Sequence, residues 1–347
     1  MKLQDFQYSL DPKTIAHFPF TPRDSSKLLI IDRESWIKKE VVFKDIYEEL
    51  TENDVLIFNE TKVIKARLKW YVILKDWREK EIEVFLLKHL STDIWECSVY
   101  PWERLKAWKI ARFRFNWNEV LNWTILETTY SWRIIRFNKE WEDFYDIIDK
   151  IWEVPLPPYI EERNHEIDRY NTVFAKVEWS AAAPTAWLHF TQELIESLKN
   201  KWVKIEKVIL HVGLWTFKTI TSEEIEDHQM HYESISIDND TAERLNKYKK
   251  EQKNIIAVWT TVVRTLESMT GVDWIISSWE KDTNIFIYPW YRFKFVDNII
   301  TNFHLPWSSL LMLISAFYNR EKIIELYKYA QENNYRFFSF GDAMFIR

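Results

Sequence analysis

Short apolar runs between polar residues mark the first elements of the chain, and Lys27–Asp32 and Val55–Phe58 read as strands. From Ala66 to Phe137 the pattern changes. Ala66–Leu74, Glu81–Lys88, Trp95–Tyr100, Lys109–Phe115, Leu121–Thr128 and Trp132–Phe137 are six short, mainly alternating segments with turn-forming residues between them. Such regular spacing, with almost no helical periodicity, predicts a small β-barrel or sandwich. Phe144–Ile151 then reads as a short helix, and the three prolines of Val154–Tyr159 as a stiff extended segment returning to the first domain. Beyond it helices and strands alternate. Helices are expected over Gln192–Lys199, Thr241–Lys250, Thr261–Met269, Ser308–Tyr318 and Glu321–Asn333. Strands are expected over Val203–Val212, Ile255–Val258, Ile285–Tyr288 and Phe293–Ile300. The order predicts an α/β main domain, residues 1–65 and 141–347, with an inserted all-β, six-stranded barrel-like module at 66–140.

Length and composition narrow the class. The 347 residues suit two domains, and 47% hydrophobic with 29% charged residues excludes a mainly disordered chain. The longest apolar stretch, around Leu310–Phe317, is far short of the ~20 residues of a membrane helix. Met1–Ile15 has no charged start followed by an apolar block, so no signal peptide is expected. The single cysteine, Cys97, excludes an intrachain disulfide and a Cys-rich metal site. These features point to the cytoplasm and away from a membrane. The net charge is −6, yet residues 62–136 hold 15 Lys/Arg against 9 Asp/Glu. A basic module on an acidic body suits a polyanion such as RNA, or is a solvated barrel surface.

One composition value is abnormal. Gly occurs 3 times and Trp 20 times, where Gly is ordinarily about 7% of a chain. The Trp residues also stand in turn and helix-end contexts, as in Lys75-Asp76-Trp77-Arg78, Asn116-Trp117-Asn118, Asn200-Lys201-Trp202-Val203 and Tyr288-Pro289-Trp290-Tyr291. Such places call for glycine, which alone takes positive φ cheaply.

Several segments carry candidate chemistry. Ile255–Arg264 reads as strand, tight turn and helix start; its backbone N–H groups, the hydroxyls of Thr260 and Thr261, and Arg264 could hold an anion, or a Thr simply caps the helix. His189, between Leu188 and Phe190, is either a proton carrier or a core residue. Glu226–Glu233 packs His228 and His231 among three carboxylates that include Asp227. His-x-x-His without a third ligand or a His-Glu-x-x-His motif argues against metal and leaves a general base, a hydrogen-bonding cluster or a structural role. His304 and Ser308 belong to another loop that opens a helix, Phe303–Ser309.

Taken together, these segments resemble the S-adenosylmethionine:tRNA ribosyltransferase-isomerase family of queuosine biosynthesis. The resemblance runs over nearly the whole chain. It starts in Phe6–Arg23 with Ile15-Ala16-His17-Phe18-Pro19 and continues through Phe58-Asn59-Glu60-Thr61-Lys62-Val63 and Pro155-Leu156-Pro157-Pro158-Tyr159. Then come Ala183-Pro184-Thr185-Ala186-Trp187-Leu188-His189-Phe190, Leu210-His211-Val212-Gly213-Leu214-Trp215-Thr216-Phe217 and Glu226-Asp227-His228 with Met230-His231. Thr260–Arg264, Thr301–Pro306 and Tyr335–Phe345 complete it. The family pattern has Gly where this chain has Trp187, Trp215, Trp259 and Trp290, whereas Trp95 fits as Trp. A one-lettered, one-directional departure suggests UGA codons that mean Gly, translated as Trp.

The resemblance implies an enzyme that moves the ribosyl part of S-adenosylmethionine onto 7-aminomethyl-7-deazaguanine at the tRNA wobble position. The sulfonium acidifies the ribose 5′ C–H, a base removes that proton, adenine leaves C1′ and the exocyclic amine of the acceptor becomes attached there, and methionine departs as the epoxycyclopentane forms. S-adenosylmethionine is then a consumed co-substrate, with no permanent cofactor and no metal, and tRNA is the partner of a monomer. The matching motifs imply His189, His211, His228, His231 and Arg264 as catalytic candidates. They imply Asp227, Thr260, Thr261, His304 and Ser308 as candidates for holding S-adenosylmethionine. A non-catalytic tRNA-binding protein and a methyltransferase are the other readings. Against the latter, no glycine-rich loop closes a first strand of an N-terminal α/β domain.

Overall fold

The computed structural model describes residues 1–63, 67–73, 79–91, 93–100, 110–115, 118–128, 133–137, 177–180, 189–212, 220 and 222–347. The chain divides into two compact units. One comprises Met1–Thr61, Ile160–Val177 and Ala183–Arg347; the other comprises Lys62–Tyr159 and Glu178–Ala182.

A nine-stranded mixed sheet organises the first unit. In chain order its strands are β1 (Lys27–Ile31), β2 (Lys38–Val42), β3 (Asp54–Asn59), β12 (Lys204–Leu210), β13 (Glu233–Ile237), β14 (Asn254–Val258), β15 (Trp279–Thr283), β16 (Asn298–Asn302) and β17 (Ala343–Ile346). Their order across the sheet is β15-β13-β12-β3-β14-β16-β17-β1-β2. The central four, β12, β3, β14 and β16, are mutually parallel, and β17 runs antiparallel to β16 and parallel to β1. Central parallel strands are covered on both faces and read as continuous apolar runs. All six residues of β3 are buried, as are the last four of both β14 and β16.

Among the described residues the helices of this unit are α1 (Ile46–Glu49), α2 (Gln192–Asn200), α3 (Asn239–Lys250), α4 (Thr260–Met269), α5 (Ser309–Phe317) and α6 (Arg320–Glu332). Four of them begin on a side-chain cap that satisfies an otherwise orphaned N–H. Thr191 accepts from Leu194 N, Asp238 from Thr241 N, Ser308 from Leu311 N and Asn319 from Lys322 N. Helix α2 buries Leu194, Ile195 and Leu198 in the core cluster that holds Leu56, Phe58 and Phe190. Helices α1 and α4 have no side-chain cap, and α4 is buried from Thr260 through Glu267.

One expected strand is absent and another is shortened. Ile285–Tyr288 is irregular, and Ile285 N donates to Thr283 Oγ1 rather than to a ladder. Of Phe293–Ile300 only the end is extended, because β16 starts at Asn298. The reason lies in α4. The buried Glu267 carboxylate accepts the backbone N–H groups of Lys294, Phe295 and Val296 at 2.9–3.1 Å, with Tyr291 Oη at 3.1 Å. Donors taken by a carboxylate cannot serve a sheet.

The second unit contains a six-stranded antiparallel sheet ordered β5-β6-β7-β10-β9-β8. The strands are β5 (Arg67–Ile73), β6 (Glu79–Ser91), β7 (Ile94–Tyr100), β8 (Ile110–Phe115), β9 (Asn118–Thr128) and β10 (Arg133–Phe137). Trp95, Cys97, Trp123, Ile125, Ile135 and Phe137 are buried on it, and the Trp123 and Phe137 rings stack at 5.8 Å. A separate two-stranded ladder joins β4 (Thr61–Val63) to β11 (Val177–Ser180). The expected Phe144–Ile151 helix and the Val154–Tyr159 segment lie outside the described residues.

Among the described residues nine non-glycine positions have positive φ, and six of them are Trp: Trp36, Trp202, Trp259, Trp274, Trp290 and Trp307. Trp202 shows why the fold asks for this. Trp202 N donates to Lys199 O and Val203 N to Leu198 O, the paired bonds that end a helix with a left-handed residue after its cap. Helices α3 and α6 end in the same way on Gln252 and Asn334.

Candidate active site

The carboxyl ends of parallel strands are where open α/β sheets bind ligands. Here β3, β12, β14 and β16 deliver, in turn, Asn59 and Thr61, His211, the start of α4, and Asn302 with His304. Asn59 Nδ2 donates to Leu210 O at 3.0 Å and to Thr261 Oγ1 at 3.4 Å, and the single proton of the Thr61 hydroxyl is shared between Asn59 Oδ1 at 2.7 Å and Leu210 O at 2.9 Å. Three strand ends are thus tied by buried side chains. Thr260 is fully buried, and its hydroxyl has no hydrogen-bond partner among the described residues.

One turn further along α4 lies Arg264, 5% exposed. Its Nη1 donates to Glu233 Oε2, while Nε and Nη2 have no partner among the described residues. Glu233 opens β13 and is 4% exposed; its other oxygen lies 3.6 Å from His231 Nε2. His231 and Glu233 are two residues apart. Arg264 and His231 line a small cavity with Met230, Ile285, Ile287, Leu310 and Leu313. A guanidinium, a carboxylate and an imidazole thus meet beside an apolar wall.

His228 flanks this group on a half-buried site, edge-on to Phe286 at 5.3 Å. Burial first, then the nearby His231 charge, lowers its pKa. Asp227 is exposed. Its segment is held by the α-amino group of Met1, which bonds Glu224 at 3.0 Å and Glu226 at 2.9 Å.

His189 and His304 are held at the end of β16, His189 against Asn302 and His304 against Thr301. Asn302 Nδ2 donates to His189 Nε2 at 3.0 Å, so Nδ1 carries the proton and faces Ser26 Oγ at 2.8 Å. The ring stacks on Phe43 at 5.0 Å. Burial, with Arg336 and Arg23 nearby, pushes its pKa down to about 3. His304 Nε2 meets Thr301 Oγ1 at 2.9 Å, and burial takes its pKa to about 3 as well. Both imidazoles are neutral at pH 7. Ser308 serves as the α5 cap and donates to Leu305 O at 2.7 Å. His211 ends β12 with its N–H on Ser234 O.

Glu233 lies in the Glu226–Glu233 cluster, and Asn59 and Thr61 in a family motif, but the sequence did not single out any of the three as a site residue. The His231-x-Glu233 alternation at a strand start was the available signal for Glu233, since residues i and i+2 share a face.

The family profile described as "Queuosine biosynthesis protein" matches residues 3–346. The chain belongs to the queuosine biosynthesis protein family. Within the family, it is 43% identical over 347 residues to the S-adenosylmethionine:tRNA ribosyltransferase-isomerase of Desulfitobacterium hafniense, covering all of both chains. The Acetivibrio thermocellus protein of the same name is 44% identical, again over the full length of both. The crystal structure of S-adenosylmethionine tRNA ribosyltransferase from Thermotoga maritima is similar with a TM-score of 0.55 at 33% identity, covering 99% of this chain and 100% of that one.

Proposed function

We propose that this member of the queuosine family is a transferase that moves and isomerises the ribosyl moiety of S-adenosylmethionine. The acceptor is 7-aminomethyl-7-deazaguanine at the tRNA wobble position, and the products are epoxyqueuosine-tRNA, adenine and methionine. The observation that carries this is end-to-end identity of 43–44% with enzymes of that name. S-adenosylmethionine is consumed, and neither a resident cofactor nor a metal enters the scheme. Arg264 binds the methionyl carboxylate, because its Nε and Nη2 are buried donors awaiting acceptors. Thr260, Thr261 and the open start of α4 add donors. His231, with His228 and His211 near the same strand ends, supplies the base for the ribose 5′ proton. Asp227 supports that segment. His189, His304 and Ser308 act from behind, by fixing β16 and α5.

Product analysis tests the reading. With S-adenosylmethionine and tRNA bearing the acceptor base, free adenine and methionine are expected. S-adenosylhomocysteine would indicate a methyltransferase, and tRNA binding with no small product a non-catalytic protein. Arg264→Lys keeps the charge and loses the fork, so a drop of about tenfold or more in kcat/KM for S-adenosylmethionine is expected.

The working protein, on this reading, carries glycine at most Trp positions, decoded from UGA. Six Trp at positive φ support it. Trp259, at φ 86° and ψ 157° before α4, sits in a region almost confined to glycine, and it is buried. Codon identity and intact mass of the native protein test it: UGG throughout would end the proposal. Residues 66–140 form the inserted barrel-like module on the discontinuous 1–65 and 141–347 domain, and its basic surface meets tRNA. The enzyme works as a cytoplasmic monomer.

A further inference from the structure

Glu233 sits at the junction of the two groups that the reaction needs. One oxygen takes Arg264 Nη1–H, and the other faces His231 Nε2 at 3.6 Å. Anchoring Nη1 fixes the guanidinium plane. The remaining Nε–H and Nη2–H lie parallel along one edge, the geometry that matches the two oxygens of a carboxylate. Both donors are buried and lack partners among the described residues, an arrangement that is costly unless an acceptor arrives. Arg264 lines a small cavity whose other walls are mainly apolar, Met230, Ile285, Phe286, Ile287, Leu310 and Leu313, with the one hydroxyl of Ser309. A carboxylate borne on a short apolar chain suits such a wall, whereas a hydrated phosphodiester does not.

We propose that Glu233 is a positioning residue that holds the Arg264 edge towards the methionyl carboxylate of S-adenosylmethionine while keeping His231 beside it. The proposal rests on the ribosyl-transfer reading above and deepens it. Glu233 does not touch the reacting atoms; it acts through Arg264 and His231. Removing its charge frees the guanidinium to rotate, so binding of S-adenosylmethionine weakens while tRNA affinity stays.

The test is calorimetric titration of the full-length protein with S-adenosylmethionine and with L-methionine, together with separate KM values for S-adenosylmethionine and tRNA. Glu233→Gln is expected to weaken both small ligands about tenfold or more, with the tRNA KM changed less than about twofold. Glu233→Asp retains the charge on a shorter arm and is expected to recover part of that loss. It also carries the test if Glu233→Gln does not fold. Folded variants that bind both ligands like the unsubstituted protein, or that lose tRNA affinity equally, overturn the role of Glu233 and leave ribosyl transfer standing. An unsubstituted protein that neither binds nor consumes S-adenosylmethionine overturns both.

Discussion

Replacing Trp202 with glycine is expected to stabilise the protein, the reverse of the usual result for removing a large side chain. Trp202 is 68% exposed, so little burial is lost. Its φ of 68° is forced by the two bonds that end α2, from Trp202 N to Lys199 O at 2.9 Å and from Val203 N to Leu198 O at 3.1 Å. A residue with a Cβ at such a position costs about 1–2 kcal/mol in backbone strain. Glycine returns part of that as greater freedom of the unfolded chain, about 0.5–1 kcal/mol. The Lys204 ammonium over the indole, 5.7 Å from the ring centroid, is near the limit of a useful cation–π interaction and contributes about 0.5 kcal/mol at most. The balance favours Trp202→Gly by roughly 0.5–1 kcal/mol. Trp202→Ala is the control, because it removes the indole and keeps the Cβ. Urea unfolding followed by far-ultraviolet circular dichroism reads both. A glycine variant no more stable than the alanine variant would refute the strain argument.

Other outcomes follow from the same structure. His189 and His304 have folded pKa values of about 3 against an ordinary 6.5, so the unfolded chain binds more protons between those values. Their stability contribution is complete above pH 6.5 and lost as pH falls towards 3, at about 1.4 kcal/mol per pH unit for each; His304→Gln should remove one such slope from urea midpoints measured across that range. In the basic segment, Arg112→Gln with Arg114→Gln on β8 should weaken tRNA binding and reduce the salt slope by about 0.7–0.9 for each phosphate no longer neutralised. An unchanged slope in filter binding at several salt concentrations would place the RNA surface elsewhere. Arg104 and Lys106, earlier in the same segment, lie outside the described residues.

Periodicity made the helices legible, because α2, α3 and α6 each pair one apolar face with a capping Thr, Asp or Asn before it. The six strands of the second unit were readable for the same kind of reason, a two-residue alternation between turns. Strand β15 was not, since Trp279–Asp282 is exposed and an edge strand needs no apolar face. The overextended Phe293–Ile300 strand failed on a distant group: nothing local says that Glu267 will claim three N–H groups. Of the site, Arg264 and His231 stood out by residue type and motif. Their common partner could not be seen, because Glu233 and Arg264 are 31 positions apart and only the β13–α4 packing joins them. The same limit hid the partners of His189, Ser26 and Asn302, which lie 163 and 113 residues away.

The position of β17 has a consequence for synthesis. Residues 343–346 form the strand between β16 and β1, and β1 touches the rest of the sheet only through them and its hairpin partner β2. On a ribosome, Lys27–Val42 therefore waits as an unjoined hairpin with one apolar edge until some three hundred further residues have emerged. Late closure of this kind makes folding slow and non-local. The nascent chain depends on its own β2 hairpin, or on a chaperone, to cover Leu28–Ile31 meanwhile. A chain cut short before Ala343 would lose two further strands from the sheet along with the missing one.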